Sequence, residues 1–261
     1  MSGRHADLTY VYCVVRRRTR PPLARAPRGV PGSGRPRALD AGKGAWAVVA
    51  DAPRARYEAG PIERGLRDLD WVSACAVAHE GVVEHVARAG VVVPLKLFTL
   101  FDGDARALAH IGALRPQLDR LFAQLHGRQE WGVRVLVDAA QARRHARGRA
   151  LRETAGLAAG RRFLLVKQRQ RDVVRALAAD GRAEVEALYE ALASRADRAR
   201  RRAPGKGEGR LLLDAAFLVD ARRAGRFRAT ARRAAGRLDA LGFGLTLTGP
   251  WPPYSFVGGR T

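Results

Sequence analysis

The segment Thr248–Val257, TGPWPPYSFV, restricts its own backbone more than any other stretch of this chain. Pro250, Pro252 and Pro253 fix φ near the polyproline value. They also push the residues before them, Gly249, Trp251 and Pro252, toward extended geometry. Gly249 lets the backbone turn. Trp251, Tyr254 and Phe256 then bring three aromatics into six residues. An extended chain puts Tyr254 and Phe256 on one side. Two roles fit such a segment: a terminal strand whose aromatics cap a core, or a stiff docking surface that loses little entropy on binding. The strand-like run before it, Phe243–Thr248 (FGLTLT), favours the first. The expected arrangement has Trp251, Tyr254 and Phe256 packed inward, with a short strand at Tyr254–Val257.

The rest of the chain alternates strand and helix patterns. Leu8–Val15 (LTYVYCVV) and Trp46–Ala50 (WAVVA) read as strands, and Arg56–Glu58 as the start of a third. Between the first two lies Arg16–Gly44, with eight arginines up to Arg37, no acidic residue among them, and many Pro and Gly. That composition predicts a mobile, solvated insertion. Asp70 is placed to cap a helix running to about Arg88, with Val72, Cys75, Val82, Val83 and Val86 on its buried stripe. Val91–Phe101 reads as a strand interrupted by Pro94, which confines that position to an edge or a bulge. Asp102 or Asp104 is placed to cap the next helical pattern, which Pro116 kinks or divides in two.

Glu130–Asp138 alternates cleanly, with Trp131, Val133, Val135 and Val137 on one face, and Glu130 reads as an edge residue. A second domain is placed to start here. A helical stretch over 163–202, the apolar strand Leu211–Val219, the helix carrying Phe227, Ala231, Ala234, Leu238 and Leu241, and Phe243–Thr248 complete a β–α–β–α–β order. The fold class is therefore α+β in two domains. Residues 1–128 form the N-terminal one, with 16–44 as its insertion. Residues 129–261 form the C-terminal one, for which a ferredoxin-like plan is the leading candidate.

The net charge of +23 invites a nucleic-acid reading, but 44 of the 48 basic residues are arginine, in a chain rich in Ala, Gly and Val. Such a composition reflects GC-rich coding as much as selection for a polyanion. Non-specific attraction to polyanions follows from the charge. A specific module does not: the chain has no zinc-finger spacing, RNP-like motif or heptad zipper. No apolar run reaches membrane-spanning length, and no signal-peptide pattern is seen at the N-terminus. Cys13 and Cys75 lack metal-ligand spacing and read as buried thiols of a reducing compartment, the cytoplasm.

The search for chemistry finds no catalytic, cofactor or metal constellation. His79-Glu80 and His85 resemble a zinc helix superficially, but the second histidine falls at i+6, on the far side of the helix. The sequence shows no G-x-S-x-G elbow, no dinucleotide fingerprint and no phosphate loop, since GKGEG at 205–209 lacks that spacing. Asp102 and Asp104 form a DGD turn better explained by helix capping than by a cation.

Taken in order, YVYCVV at Tyr10–Val15, the helix Trp71–Arg88, VVPLKLFTLF at Val92–Phe101, EWGVRVLVD at Glu130–Asp138, AFLVD at Ala216–Asp220, FRATARR at Phe227–Arg233 and TGPWPPYSFV resemble the gas-vesicle accessory family GvpL/GvpF. Phe98 stands where many members carry glycine, and the 16–44 insertion is longer than usual. The resemblance implies a non-enzymatic protein of gas vesicle formation. It implies two α+β domains, the second a modified ferredoxin-like fold, and contacts with the shell protein GvpA and other accessory proteins. It implies no cofactor and no catalytic residue. Trp251, Pro252, Pro253, Tyr254, Phe256, Glu130, Trp131 and Pro94 are the signature positions expected to carry a structural or interaction role. The runner-up is a basic nucleic-acid-binding protein.

Overall fold

A computed structural model describes residues 7–137, 144, 148, 152, 181–203 and 211–257. The expected helical region before residue 181 and the 205–209 turn lie outside the described residues. The chain divides into two compact units, residues 1–127 with 251–261, and residues 128–250.

The first unit is built on β1 (Leu8–Arg16), β2 (Arg37–Asp40), β3 (Ala45–Ala52), β4 (Val91–Pro94) and β5 (Leu100–Phe101). The sheet order is β2-β3-β1-β4, with β5 also pairing β1, and all pairings are antiparallel. β1 is rich in β-branched and aromatic residues because it lies inside the sheet, buried from Leu8 to Val15. A bulge leaves Tyr12 without a partner between Val11↔Val49 and Cys13↔Val48. The extra residue shifts the alternation, so Tyr10, Tyr12, Cys13 and Val15 all join one core. That core is closed by α3 (Leu69–Ala87) through Cys75, Val82, Val83 and Val86. Val14 pairs with Val93 outside this cluster, and α4 (Asp104–Ala113) and α5 (Arg115–Leu125) contact β1 and β4. Pro116 opens α5, so the expected two-helix arrangement holds. Pro94 ends β4, an outer strand, where its missing N–H costs no ladder bond.

Four local expectations are corrected. Arg56–Glu58 does not begin a strand: Arg54–Tyr57 forms a helical turn, α1, followed by α2 (Ala59–Gly65). The N-cap of α3 is Asp68, whose carboxylate accepts from the Asp70 and Trp71 N–H groups, leaving Asp70 as first-turn dipole partner. Gly103 takes the N-cap of α4, because Asp102 and Asp104 are engaged by arginines. The 16–44 segment is built into the unit. It contains β2; Val30 is buried and its N–H donates to Tyr12 Oη at 3.0 Å; Tyr57 Oη donates to the Pro31 carbonyl at 2.8 Å.

The second unit uses β6 (Arg128–Val137), β7 (Arg198–Arg201), β8 (Leu211–Asp220) and β9 (Phe243–Trp251) in the order β7-β8-β6-β9. Counting strands along the chain, both sheets share one order: second, third, first, fourth. The predicted alternation places Trp131, Val133 and Val135 in the core, joined by Val185, Leu188 and Leu192 of α6 (described over 181–193) and by Phe227, Ala231, Ala234 and Leu238 of α7 (Ala224–Ala240). Tyr254–Val257 is a helical turn, α8, and not a short strand.

Candidate interaction surfaces

The signature segment does not close the second unit. Its first residues end β9, where Gly249 has φ 122° and an added Cβ would lie 2.8 Å from the Glu130 carbonyl. From Trp251 onward the chain belongs to the first unit. There α8 contacts β4, Tyr254 packs against the first core, and Pro252 and Phe256 are buried. Trp251 is the exception to the inward packing expected, with 37% of its surface exposed. Trp251 is the last residue of β9 and sits where the chain passes from one unit to the other.

The other signature residues have structural partners. Trp131 lies in the second core, its ring 6.4 Å from that of Phe227 and covered by the Arg228 guanidinium at 5.6 Å. Glu130 is on an interior strand, not an edge, and is 3% exposed. Arg202 Nη2 donates to its carboxylate at 3.3 Å and shares Asp214, as a buried charge requires. Pro94 is buried opposite Cys13.

His79 has a positioning task that the spacing did not reveal. Burial raises the Tyr10 phenol far above its ordinary range, so Tyr10 keeps its proton, and Tyr10 Oη and His79 Nδ1 share a hydrogen bond at 2.8 Å. Tyr10 Oη also accepts the Phe98 N–H at 3.3 Å. Burial pulls His79 down to about 4, partly opposed by the Leu95 backbone. The neutral ring thus ties α3 to the turn after β4. In that turn Phe98 adopts φ 62°, unfavourable for a side chain, and stacks on Trp71 with centroids 5.2 Å apart and planes 6° apart. The DGD turn holds no free carboxylate: Asp102 pairs with Arg54, and Asp104 with Arg37 and Thr9. The Arg37 hydrogen bond holds the Asp104 carboxyl below its ordinary range. Among the described residues no group of His, Cys, Asp and Glu could hold a metal, and no helix is long and apolar enough to cross a membrane.

A surface the sequence reading passed over is the outward face of α3. Trp71–His79 (WVSACAVAH) is uncharged, a rarity in a chain with 28% charged residues. Leu69 and Val77 are 80% and 68% exposed, and Leu66 beside them 53%. Leu69, Ser73 and Val77 form an i, i+4, i+8 ridge, which Glu80 and Glu84 continue along the same stripe. α3 carries no Lys or Arg, and Glu80 and Glu84 make no ion pair among the described residues. Burial and the like charge of Glu84 push the Glu80 carboxyl above its ordinary range. The absence of charge from WVSACAVA is the available signal, and it merges with the buried stripe because Cys75, Val82 and Val86 share the same helix.

Comparison with known proteins agrees with this architecture. The family model described as "Gas vesicle synthesis protein GvpL/GvpF" matches residues 8–258. Gas vesicle protein L of Streptomyces sp. (strain CB03234) is 32% identical over 256 residues, covering 96% of this chain and 93% of that protein. The crystal structure of GvpF from Anabaena sp. PCC7120 is similar over 98% of both chains, with TM-score 0.69 and 17% identity. That of GvpF from Microcystis aeruginosa gives TM-score 0.65 and 16% identity, over 96% of this chain and 99% of the other.

Proposed function

This chain belongs to the gas vesicle GvpL/GvpF family, and on that premise we propose that it acts in gas vesicle assembly by binding the shell protein GvpA and other accessory proteins. The family is one of gas vesicle accessory proteins and not of enzymes. The working place is the cytoplasm, at the growing vesicle. A shell subunit with exposed apolar surface needs a partner that covers it until delivery. The observation that carries this reading is the α3 ridge, where Leu69 and Val77 stand exposed with only Ser73 between them along the ridge. Ser73 and Ala76 on the same side are small enough for a second helix to approach closely. Glu80 and Glu84 then select a partner with a basic residue beyond its apolar stripe. We also read residues 128–250 as a modified ferredoxin-like unit that supports this task, on the strand order β7-β8-β6-β9 with α6 and α7 packed on one core.

The test is co-purification of the full chain with GvpA, comparing wild type with Leu69→Asp/Val77→Asp. Both side chains are exposed, so folding is unaffected and capture falls at least about tenfold. Unchanged capture by the folded double variant would remove α3 from the reading.

A further inference from the structure

The first unit contains a second feature that the α3 ridge does not explain. A cavity of about 970 Å³ is lined by the end of β1, the β2–β3 turn, the segment after α3, and α5. Five of its residues are cationic: Arg16, Arg17, Arg18, Lys43 and Arg115. One carboxylate, Asp119, faces them. Asp119 is shared by two guanidiniums, Arg16 through Nη2 and Arg115 through Nε, so the walls keep an excess of positive charge.

The cations are held by the fold. The Arg16 guanidinium lies over the Phe122 ring at 4.6 Å, and its Nε is buried without an acceptor among the described residues. Arg115 donates to the Gly42 carbonyl at 2.8 Å and the Lys43 carbonyl at 3.2 Å, clamping the β2–β3 turn. Within that turn Lys43 is forced to φ 48° between Gly42 and Gly44, themselves at 79° and 70°. An L-residue held there is strained. The sequence spends one of only four lysines at this point. The side chains of Arg18 and Lys43, both exposed, have no hydrogen-bond or ion-pair partner among the described residues.

We propose that this cavity is a binding site for a polyphosphate-bearing small molecule. Forked guanidiniums and an ammonium lining one space suit several phosphate oxygens at once. A single phosphate would leave part of this positive charge unmatched. The volume falls in the range of small-ligand sites, and Ala89, Val91 and Ala123 give an apolar wall for an organic group attached to the phosphates. Binding removes the mutual repulsion of the cations and joins β1, the turn and α5 through one ligand.

Calorimetric titration of the full chain with pyrophosphate, ATP and AMP, at about 0.15 M salt, tests this. Pyrophosphate and ATP bind, and AMP binds at least about tenfold more weakly. Arg18→Gln/Lys43→Asn weakens both ligands at least about tenfold; asparagine tolerates the left-handed backbone at 43. Arg226→Gln/Arg232→Gln on exposed positions of α7 removes the same charge and changes affinity less than about twofold. No pyrophosphate binding at this salt, ATP binding without pyrophosphate binding, or equal losses in the two double variants would each overturn the site. The outcome is independent of GvpA capture, which depends on α3.

Discussion

Replacing Phe256 with alanine separates a structural from a docking role for the C-terminal aromatics. Phe256 is 5% exposed in α8, which contacts β4 in the first unit. Truncating a buried phenylalanine removes its transfer free energy and leaves a cavity, together about 3–5 kcal/mol. That is a large fraction of the stability of a domain this size. Trp251, at 37% exposed, has much less to lose, and Trp251→Ala costs about 1 kcal/mol. Urea unfolding gives the totals, and native-state hydrogen exchange tells where the loss falls. Peptides from β1 and β4 lose protection in Phe256→Ala, whereas peptides from β6 and β8 keep theirs, because residues 251–261 belong with the first unit. A cost under about 1 kcal/mol, or a loss confined to β6 and β8, would refute this assignment.

Two further perturbations test local arguments. His79 is neutral when folded, with its pKa lowered from 6.5 to about 4, so the unfolded chain binds more protons between those values. Stability therefore rises with pH across that window, and the His79 contribution is lost as pH falls through it, by about 3 kcal/mol in all. His79→Gln flattens that part of the stability–pH curve measured by urea midpoints; a parallel curve would show that His79 is not the titrating group. Gly249→Ala places a Cβ 2.8 Å from the Glu130 carbonyl at φ 122°, and costs about 2–4 kcal/mol. An unchanged urea midpoint would show that the turn relaxes without strain.

Alternation and helical stripes were legible wherever one face alone is buried. Trp131, Val133 and Val135 on β6, and Phe227 to Leu238 on α7, fell where their periods put them. The same rules failed where backbone hydrogen bonds or chain crossing decided. The bulge at Tyr12 reverses the alternation of β1 and has no residue signature. The 16–44 segment has the composition of a solvated loop, yet Val30 and the Pro31 carbonyl meet tyrosines from β1 and α1. Those contacts join residues far apart in sequence, and local composition is blind to them. Trp251–Val257 follows β9 in the chain, but contiguity does not decide which core an aromatic enters, and Tyr254 packs against the first. The α3 ridge was visible as letters and hidden as a surface, since an uncharged run looks alike whether it is buried or exposed.

The arginines also bear on how the two surfaces work together. Many are spent inside the fold: Arg37 on Asp51 and Asp104, Arg223 and Arg128 on Asp197, Arg237 on Glu184, Arg202 on Glu130 and Asp214. Each exposed pair contributes only about 0–1 kcal/mol, so their main effect is to set the direction of the field. Within that cationic field α3 is a local inversion, apolar at Leu69 and Val77 and acidic at Glu80 and Glu84. A partner helix with an apolar stripe and a basic end is repelled by most of this chain and accepted at α3. A polyanion is drawn to most of the chain and held where the fold fixes Arg16 and Arg115 beside Lys43. High salt discriminates the two: it weakens the general attraction of polyanions steeply, whereas contact through Leu69 and Val77 persists. Capture of GvpA that survives raised salt, and is lost in Leu69→Asp/Val77→Asp, would assign it to the apolar ridge. Capture that disappears with salt in wild type and variant alike would assign it to charge and refute the ridge.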